Sequence, residues 1–499
     1  MATAPTSTAT RQPASPISPA LVWFRDDLRL ADNPALCAAA AEGRPVVALY
    51  VLDEDSPGLR PLGGAARWWL AGALRALQDE LSLHGVPLLL RRGPAARIVP
   101  DVARQAGCGL VAFNIRTEAA AAKVDEAVTA RLRADGREVC PTLGHLLHMP
   151  GSVRTVAGGM PRTFSAFMRG AVRDRPALAV LQVPLLRPAA HALASEALDA
   201  WHLLPTAPDW AGGLRAAWTP GEPAARARLE GFMEDGLAGY GTKRDRPDLP
   251  HVSRLSPHLR FGELSPRQAI VAAASAGAAG DAPAGDVRKF EAEVYWREFS
   301  YHLLHAMPDL SRRNLQSAFD AFPWRECSGD LKAWQHGRTG YPIVDAGMRQ
   351  LWTTGWMHNR VRMVVASFLC KHLLIHWQDG EHWFWDTLVD ADPASNPASW
   401  QWVAGSGADA APYFRIFNPV LQGEKFDPDG SYVRTYVPEL ARLSARLIHK
   451  PWEASSLDLA HAGIRLGVDY PRPIVDHAAA RERALRAFEH TRKEIRSAG

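Results

Sequence analysis

Wound as a helix, residues 289–307, KFEAEVYWREFSYHLLHAM, place Glu293, Trp296, Arg297 and Ser300 at i, i+3, i+4 and i+7 on one face. An acid, an indole and a guanidinium on one stripe can hydrogen-bond, stack on and charge-pair with a single ligand. A solvated Glu/Arg pair beside a half-buried Trp gives the same pattern. The segment beginning at Asn359 repeats the device: Asn359, Arg362 and Met363 share a face and Arg360 flanks it. A planar amide, a soft thioether and fork-shaped donors suit the edge of a heterocycle and a nearby anion, while Met363 alone reads equally as core filling. A third cluster, DADPASNPASWQWVAGSG at 390–407, sets Asp390, Asp392 and Asn396 beside Trp400 and Trp402 in a stretch whose Pro, Gly and Ser read as a loop.

Basic residues gather in two further places. TKRDRPDLPHVSRLSPHLRFGELSPR carries Lys243, Arg244, Arg246, Arg254, Arg260 and Arg267, with Ser253 and Ser256 bracketing Arg254. Hydroxyls and backbone N–H groups just ahead of a helix make an anion site. Arg415 and Lys425 flank the aromatic run YFRIF. Cations interleaved with rings describe a nucleic-acid groove, and a solvated basic face accounts for some of them.

These residues need a frame. Short apolar runs at 21–24, 46–52, 87–91 and 109–113 alternate with helical patterns, one of which repeats Leu70, Leu74, Leu77 and Leu81 and stops at Gly85. Strands alternating with helices predict an α/β domain over 21–149, built on a doubly wound parallel sheet. No GxGxxG follows the first strand, so a cofactor is expected elsewhere. Pro-rich stretches mark 150–221 as a connector. From 222 to 499 the signals are helical, with Pro223 in a first turn, Ser265-Pro266 as a cap and Gly355 as a stop, which predicts a larger, all-α domain.

Composition narrows the class. The chain has 499 residues, a formal charge of +4, and 17 Trp against 16 Phe and 9 Tyr, so the indoles ask for a reason beyond packing. The five cysteines are scattered and form no CxxC, which predicts reduced thiols in a cytoplasmic protein and no metal site. No run is apolar enough to span a bilayer. Residues 1–20 read as a disordered tail, with a transit peptide as the alternative.

In order and spacing from residue 21 onward, LVWFRDDLRLADNPAL, SRLSPHLRFGELSPR, YWREF, TGYPIVDAGMRQL, GWMHNRVRM and DAAPYFRIFNPVLQGEKFDPDG resemble the DNA photolyase and cryptochrome family, and most of all bacterial cyclobutane pyrimidine dimer photolyases. The resemblance implies a helical domain that holds FAD and a light-driven, monomeric repair enzyme acting on ultraviolet-damaged DNA. It assigns FAD binding to Tyr240, Val252, Ser253, Arg254, Leu255, Ser256, Arg297, Asn359, Arg362, Asp390, Ala391, Asp392 and Asn396, with Arg362 and Asp390 as a pair and Asn396 beside the flavin. It assigns an electron relay to Trp400, Trp377 and Trp324. Lesion and DNA contacts fall to Arg244, Glu293, Trp296, Arg297, Asn359, Arg360, Met363, Trp402 and Arg415. A folate (methenyltetrahydrofolate) or other antenna is left open, since its Glu aligns with Glu118 or with Ala121. Six-four photolyases carry His where Asn359 and Met363 stand, which favours the cyclobutane lesion. A cryptochrome photoreceptor that signals without repairing is the other reading of the same resemblance.

Overall fold

Buried on both faces, a parallel strand reads as an unbroken apolar run, and ALVWF and VVALYVL do so here. They form β1 (Ala20–Phe24) and β2 (Val46–Leu52), every residue of which is buried. With β3 (Leu88–Arg92), β4 (Leu110–Asn114) and β5 (Glu138–Thr142) they make one five-stranded sheet in the order β3-β2-β1-β4-β5, parallel throughout. The computed structural model describes residues 17–409 and 414–497. The expectation for the tail therefore falls largely outside the described residues, and Ala20 already pairs with Val46 in the sheet.

Alternate side chains of each strand enter different cores, as doubly wound topology requires. Ala20, Val22 and Phe24 pack with the Gly64–Leu83 helix, whereas Leu21 and Trp23 pack with the Ala95–Gln105 and Ala119–Ala134 helices. Leu70, Leu74, Leu77 and Leu81 are all buried, and Gly85 takes φ 72° one residue past the helix cap. β5 has no apolar run to announce it in the sequence. Its EVCPT carries a Pro and lies at a sheet edge, where a missing N–H is tolerated.

Beyond Thr142 the described residues hold helices and isolated bridges, with no further named strand. Ser265 caps the Pro266–Ala279 helix through a reciprocal bond with Gln268, and Gly355 ends the Pro342–Thr354 helix at φ 65°. The segment beginning at Asn359 does not run on as one helix: the Asn359–Ser367 helix widens into a π-turn at Phe368–His372, Leu374 turns left-handed at φ 54°, and His376 caps the Trp377–Thr387 helix. The 390–407 stretch is not a loop. Ser395–Ala404 is a helix, because Asp392 Oδ1 accepts the N–H groups of Ala394 and Ser395 at 2.9 and 2.7 Å, and Pro397 lies in the first turn, where no N–H is needed.

Candidate functional site

The Ala284–Ala306, Asn359–Ser367 and Ser395–Ala404 helices surround a cavity of about 600 Å³, within the range of cofactor sites. Glu293, Trp296, Arg297 and Ser300 all line it, as do Asn359, Arg360, Arg362 and Met363. Helical periodicity thus selected the cavity-facing side of both helices. Tyr240, Arg244, Ser253, Leu255, Ser256, Asp390, Asp392, Asn396, Trp400 and Trp402, also expected, lie on the walls.

Several expected residues lie outside the lining. Arg254, at φ 53°, places its guanidinium 4.9 Å and 4.8 Å from the ring centres of Trp218 and Trp356, the second of which lines the cavity. Val252 packs against the α/β core. Ala391 contributes only its carbonyl, which accepts Arg260 Nε–H at 2.8 Å. Arg415 is exposed, with its carbonyl bound to the Lys371 ammonium. Trp377 and Trp324 stand behind the wall rather than in it.

Charge inside the cavity is paired. Arg362 Nη2 donates to both oxygens of Asp390 at 3.1 and 2.8 Å, and its Nε bonds the Met357 carbonyl at 2.7 Å. Glu293 pairs with Arg244 and, at 3.0 Å, with Lys289. Arg360 bonds Asp245 at 2.7 Å, and Arg297 bonds the carbonyls of His145 at 2.9 Å and Leu259 at 3.3 Å, so these cations reach the mouth already oriented.

The sequence reading missed the groups behind the wall. The Tyr301 hydroxyl donates to Asp392 Oδ2 at 2.9 Å, and the hydroxyl oxygen also lies 2.9 Å from His145 Nε2. Burial, and then Arg297, holds His145 well below the usual histidine range; burial, and then Asp392, holds the Tyr301 phenol well above its own, so both are neutral. Tyr301 falls four residues after Arg297 on the same stripe, a signal that could have found it. Asn396 donates to the main-chain carbonyl of Glu381 at 3.1 Å and to its Oε1 at 2.9 Å, and Arg60, from the α/β half, grips that carboxylate at 2.7 and 2.9 Å. No local pattern announces a pair 321 residues apart.

The indoles fall into two groups. Trp400, 2% exposed, meets Phe384 edge-on at 5.0 Å. Trp377 is fully buried, stacks on His376 at 5.7 Å and donates to Asn314 Oδ1 at 2.9 Å; His376 in turn meets half-buried Trp324 at 5.0 Å. Trp400 thus meets Phe384 and Trp334 at the cavity wall, while Trp377, His376 and Trp324 form a second run of ring contacts behind it. Trp296 lies flat on Phe164, with centroids 3.9 Å apart, and Trp402 faces the same cavity from the Ser395–Ala404 helix.

Near the carboxyl ends of β1 and β4, Asp26, Arg116, Glu118 and His145 line a small cleft of about 10 Å³, room for a water molecule. Ala121, the other position aligned with an antenna Glu, is buried in the Ala119–Ala134 helix, where its carbonyl lies 3.4 Å from Arg116 Nη2.

The model of the FAD-binding domain of DNA photolyase matches residues 290–490, and the DNA photolyase model matches residues 20–188. A curated deoxyribodipyrimidine photo-lyase of Agrobacterium fabrum is 51% identical over 95% of this chain and 98% of its own. This chain belongs to the DNA photolyase family. A crystal structure of a bacterial class III photolyase from Agrobacterium tumefaciens superposes with a TM-score of 0.92 at 49% identity, covering 98% of this chain and 100% of that one. Cryptochrome-2 of Arabidopsis thaliana is more distant, 36% identical over 95% of this chain and 79% of its own length. The cavity fits the cofactor the family model names in volume, in ring-lined walls and in its few converging polar groups. Among the described residues no helix is long and apolar enough to cross a membrane, and no group of three or more His, Cys, Asp or Glu could hold a metal.

Proposed function

We propose that this chain repairs cyclobutane pyrimidine dimers in ultraviolet-damaged DNA, using light absorbed by FAD in the 600 Å³ cavity. The observation that carries the reading is that one cavity is lined both by the Arg362–Asp390 pair with Asn396 and by the indole faces of Trp296 and Trp402. Cofactor and base-stacking surfaces thus share a single space. Bound FAD supplies the one-electron chemistry that splits the cyclobutane ring and takes the electron back, so no net oxidation occurs.

The residues bind, orient and insulate. Tyr240, Ser253 and Ser256 support the diphosphate region of FAD, Arg362 and Asp390 hold its ring system, and Asn396, clamped by Glu381, fixes a polar edge. A dimer must leave the duplex to reach them, and a damaged pair unstacks at lower cost than a sound one. Trp296 and Trp402 receive the flipped bases, Glu293 bonds a pyrimidine edge, and Arg244, Arg297, Arg360 and Arg415 steady the phosphates without reading sequence. Trp324, Trp377 and Trp400 would relay an electron inward from a reductant in solution to restore reduced cofactor. On this reading residues 21–149 form the α/β domain and 222–499 the FAD- and DNA-binding domain, joined by 150–221. The chain acts as a monomer in the cytoplasm, whose reducing conditions suit five free cysteines.

Purified protein with chemically reduced FAD should remove dimers from an oligonucleotide under blue light and leave them in the dark. Dimers unchanged in the light, alongside reversible photoreduction of bound FAD, would replace repair with photoreception.

A further inference from the structure

Trp296 and Trp402 belong to different helices, yet a clamp on a flipped dimer works only at a fixed gap. One residue joins the two supports. The main-chain carbonyl of Asp409 accepts Trp402 Nε1–H at 3.2 Å, and its Oδ2 accepts the main-chain N–H of Phe164 at 3.2 Å. Phe164 opens the Phe164–Arg173 helix and covers the back of Trp296, its ring plane tilted only 7° from the indole. An N–H in a first helical turn has no partner within the helix, and a carboxylate there meets the positive end of the dipole. Asp409 holds both bonds from a left-handed backbone, φ 54°, which Asp and Asn tolerate through their short polar side chains.

We propose that Asp409 is a positioning residue for lesion recognition, setting the gap between Trp296 and Trp402 through Phe164 while touching neither lesion nor cofactor. The inference rests on the reading that these two indoles grip a flipped dimer. Charge alone argues the opposite effect. Asp409 is exposed, and an acidic group near a polyanion weakens binding of every DNA, so removing it should tighten all complexes. A positioning role predicts a loss confined to damaged DNA.

The test uses the full chain loaded with FAD and compares affinities for a dimer-containing oligonucleotide and its undamaged twin. Asp409→Ala should bind the dimer strand about tenfold more weakly, as expected for part of a base–aromatic stack, with no loss for the undamaged strand. KM for repair should rise with it, while kcat at saturating DNA and photoreduction of bound FAD stay near wild type. Asp409→Asn keeps an acceptor oxygen and tolerates the same φ, so it should stay within about twofold of wild type. Phe164→Leu, which removes the flat ring and leaves the carboxylate, should reproduce the selective loss. The inference is overturned if Asp409→Ala or Phe164→Leu binds the dimer strand as tightly as wild type, or if Asp409→Asn falls as far as Asp409→Ala. A wild-type protein that does not distinguish the two strands sinks both this inference and the repair reading.

Discussion

Gly380 leaves room for Trp400 on the Trp377–Thr387 helix. A methyl carbon added there would lie 2.1 Å from Cη2 and 2.5 Å from Cζ3 of Trp400, and 2.7 Å from Leu369 Cδ2. The indole cannot retreat, being 2% exposed with Phe384 at 5.0 Å and Trp334 at 6.2 Å. Two effects of Gly380→Ala oppose each other. Alanine in a helix interior gains about 0.5–1 kcal/mol over glycine, mainly through the unfolded chain. Overpacking a close-packed site costs about 1–3 kcal/mol, and an overlap of more than an ångström against a rigid ring belongs at the upper end. Sterics should win by about 1–2 kcal/mol, lowering the urea midpoint with an unchanged m-value. Because the displaced ring lines the cavity and is the indole proposed to pass an electron to the cofactor, photoreduction of bound FAD should slow as well. A variant that unfolds at the same or higher urea concentration and photoreduces normally would refute the reasoning.

Trp377→Phe should slow photoreduction severely while chemically pre-reduced enzyme repairs at the wild-type rate; equal loss of both would make Trp377 a packing residue only. Asp390→Asn leaves Arg362 without its carboxylate, so FAD content after gel filtration should fall and its Kd rise about tenfold or more; an unchanged Kd would remove the pair from the cofactor's site. Glu118 should make stability pH-dependent: burial first, then Asp26 and Asp392, push its carboxyl up to about 7 against the pull of Arg260 and Arg116. A raised carboxyl favours the folded state fully at acid pH, and that contribution is lost as pH rises through about 7. Glu118→Gln should therefore be the more stable protein at pH about 8, by on the order of 1–2 kcal/mol for a half-buried group, and the two should converge in acid. Parallel melting temperatures across that range would contradict the shift.

Periodicity made much of this molecule legible. The four expected strands lie within a residue or two of the observed ones because buried parallel strands are apolar throughout, and the Glu293 and Asn359 stripes face the cavity because a helix presents i, i+3, i+4 and i+7 together. The 390–407 stretch holds a helix that its Pro, Gly and Ser conceal: Asp392 Oδ1 accepts the N–H of Ser395, the first helical residue, and Pro397 sits where no N–H is required. Arg254, at φ 53°, sets its guanidinium against Trp218 and Trp356, a contact that residue type alone does not announce. Long-range pairs are the remainder. Arg60 with Glu381, and Phe164 behind Trp296, join residues far apart in the chain, and only the folded structure brings them together.

One cavity should receive one flavin nucleotide per chain. Heat-denaturing the purified protein and quantifying the released chromophore tests this most directly. One FAD per chain, with reconstitution of the same stoichiometry after stripping, is the predicted result; a colourless protein that takes up no added FAD would contradict it.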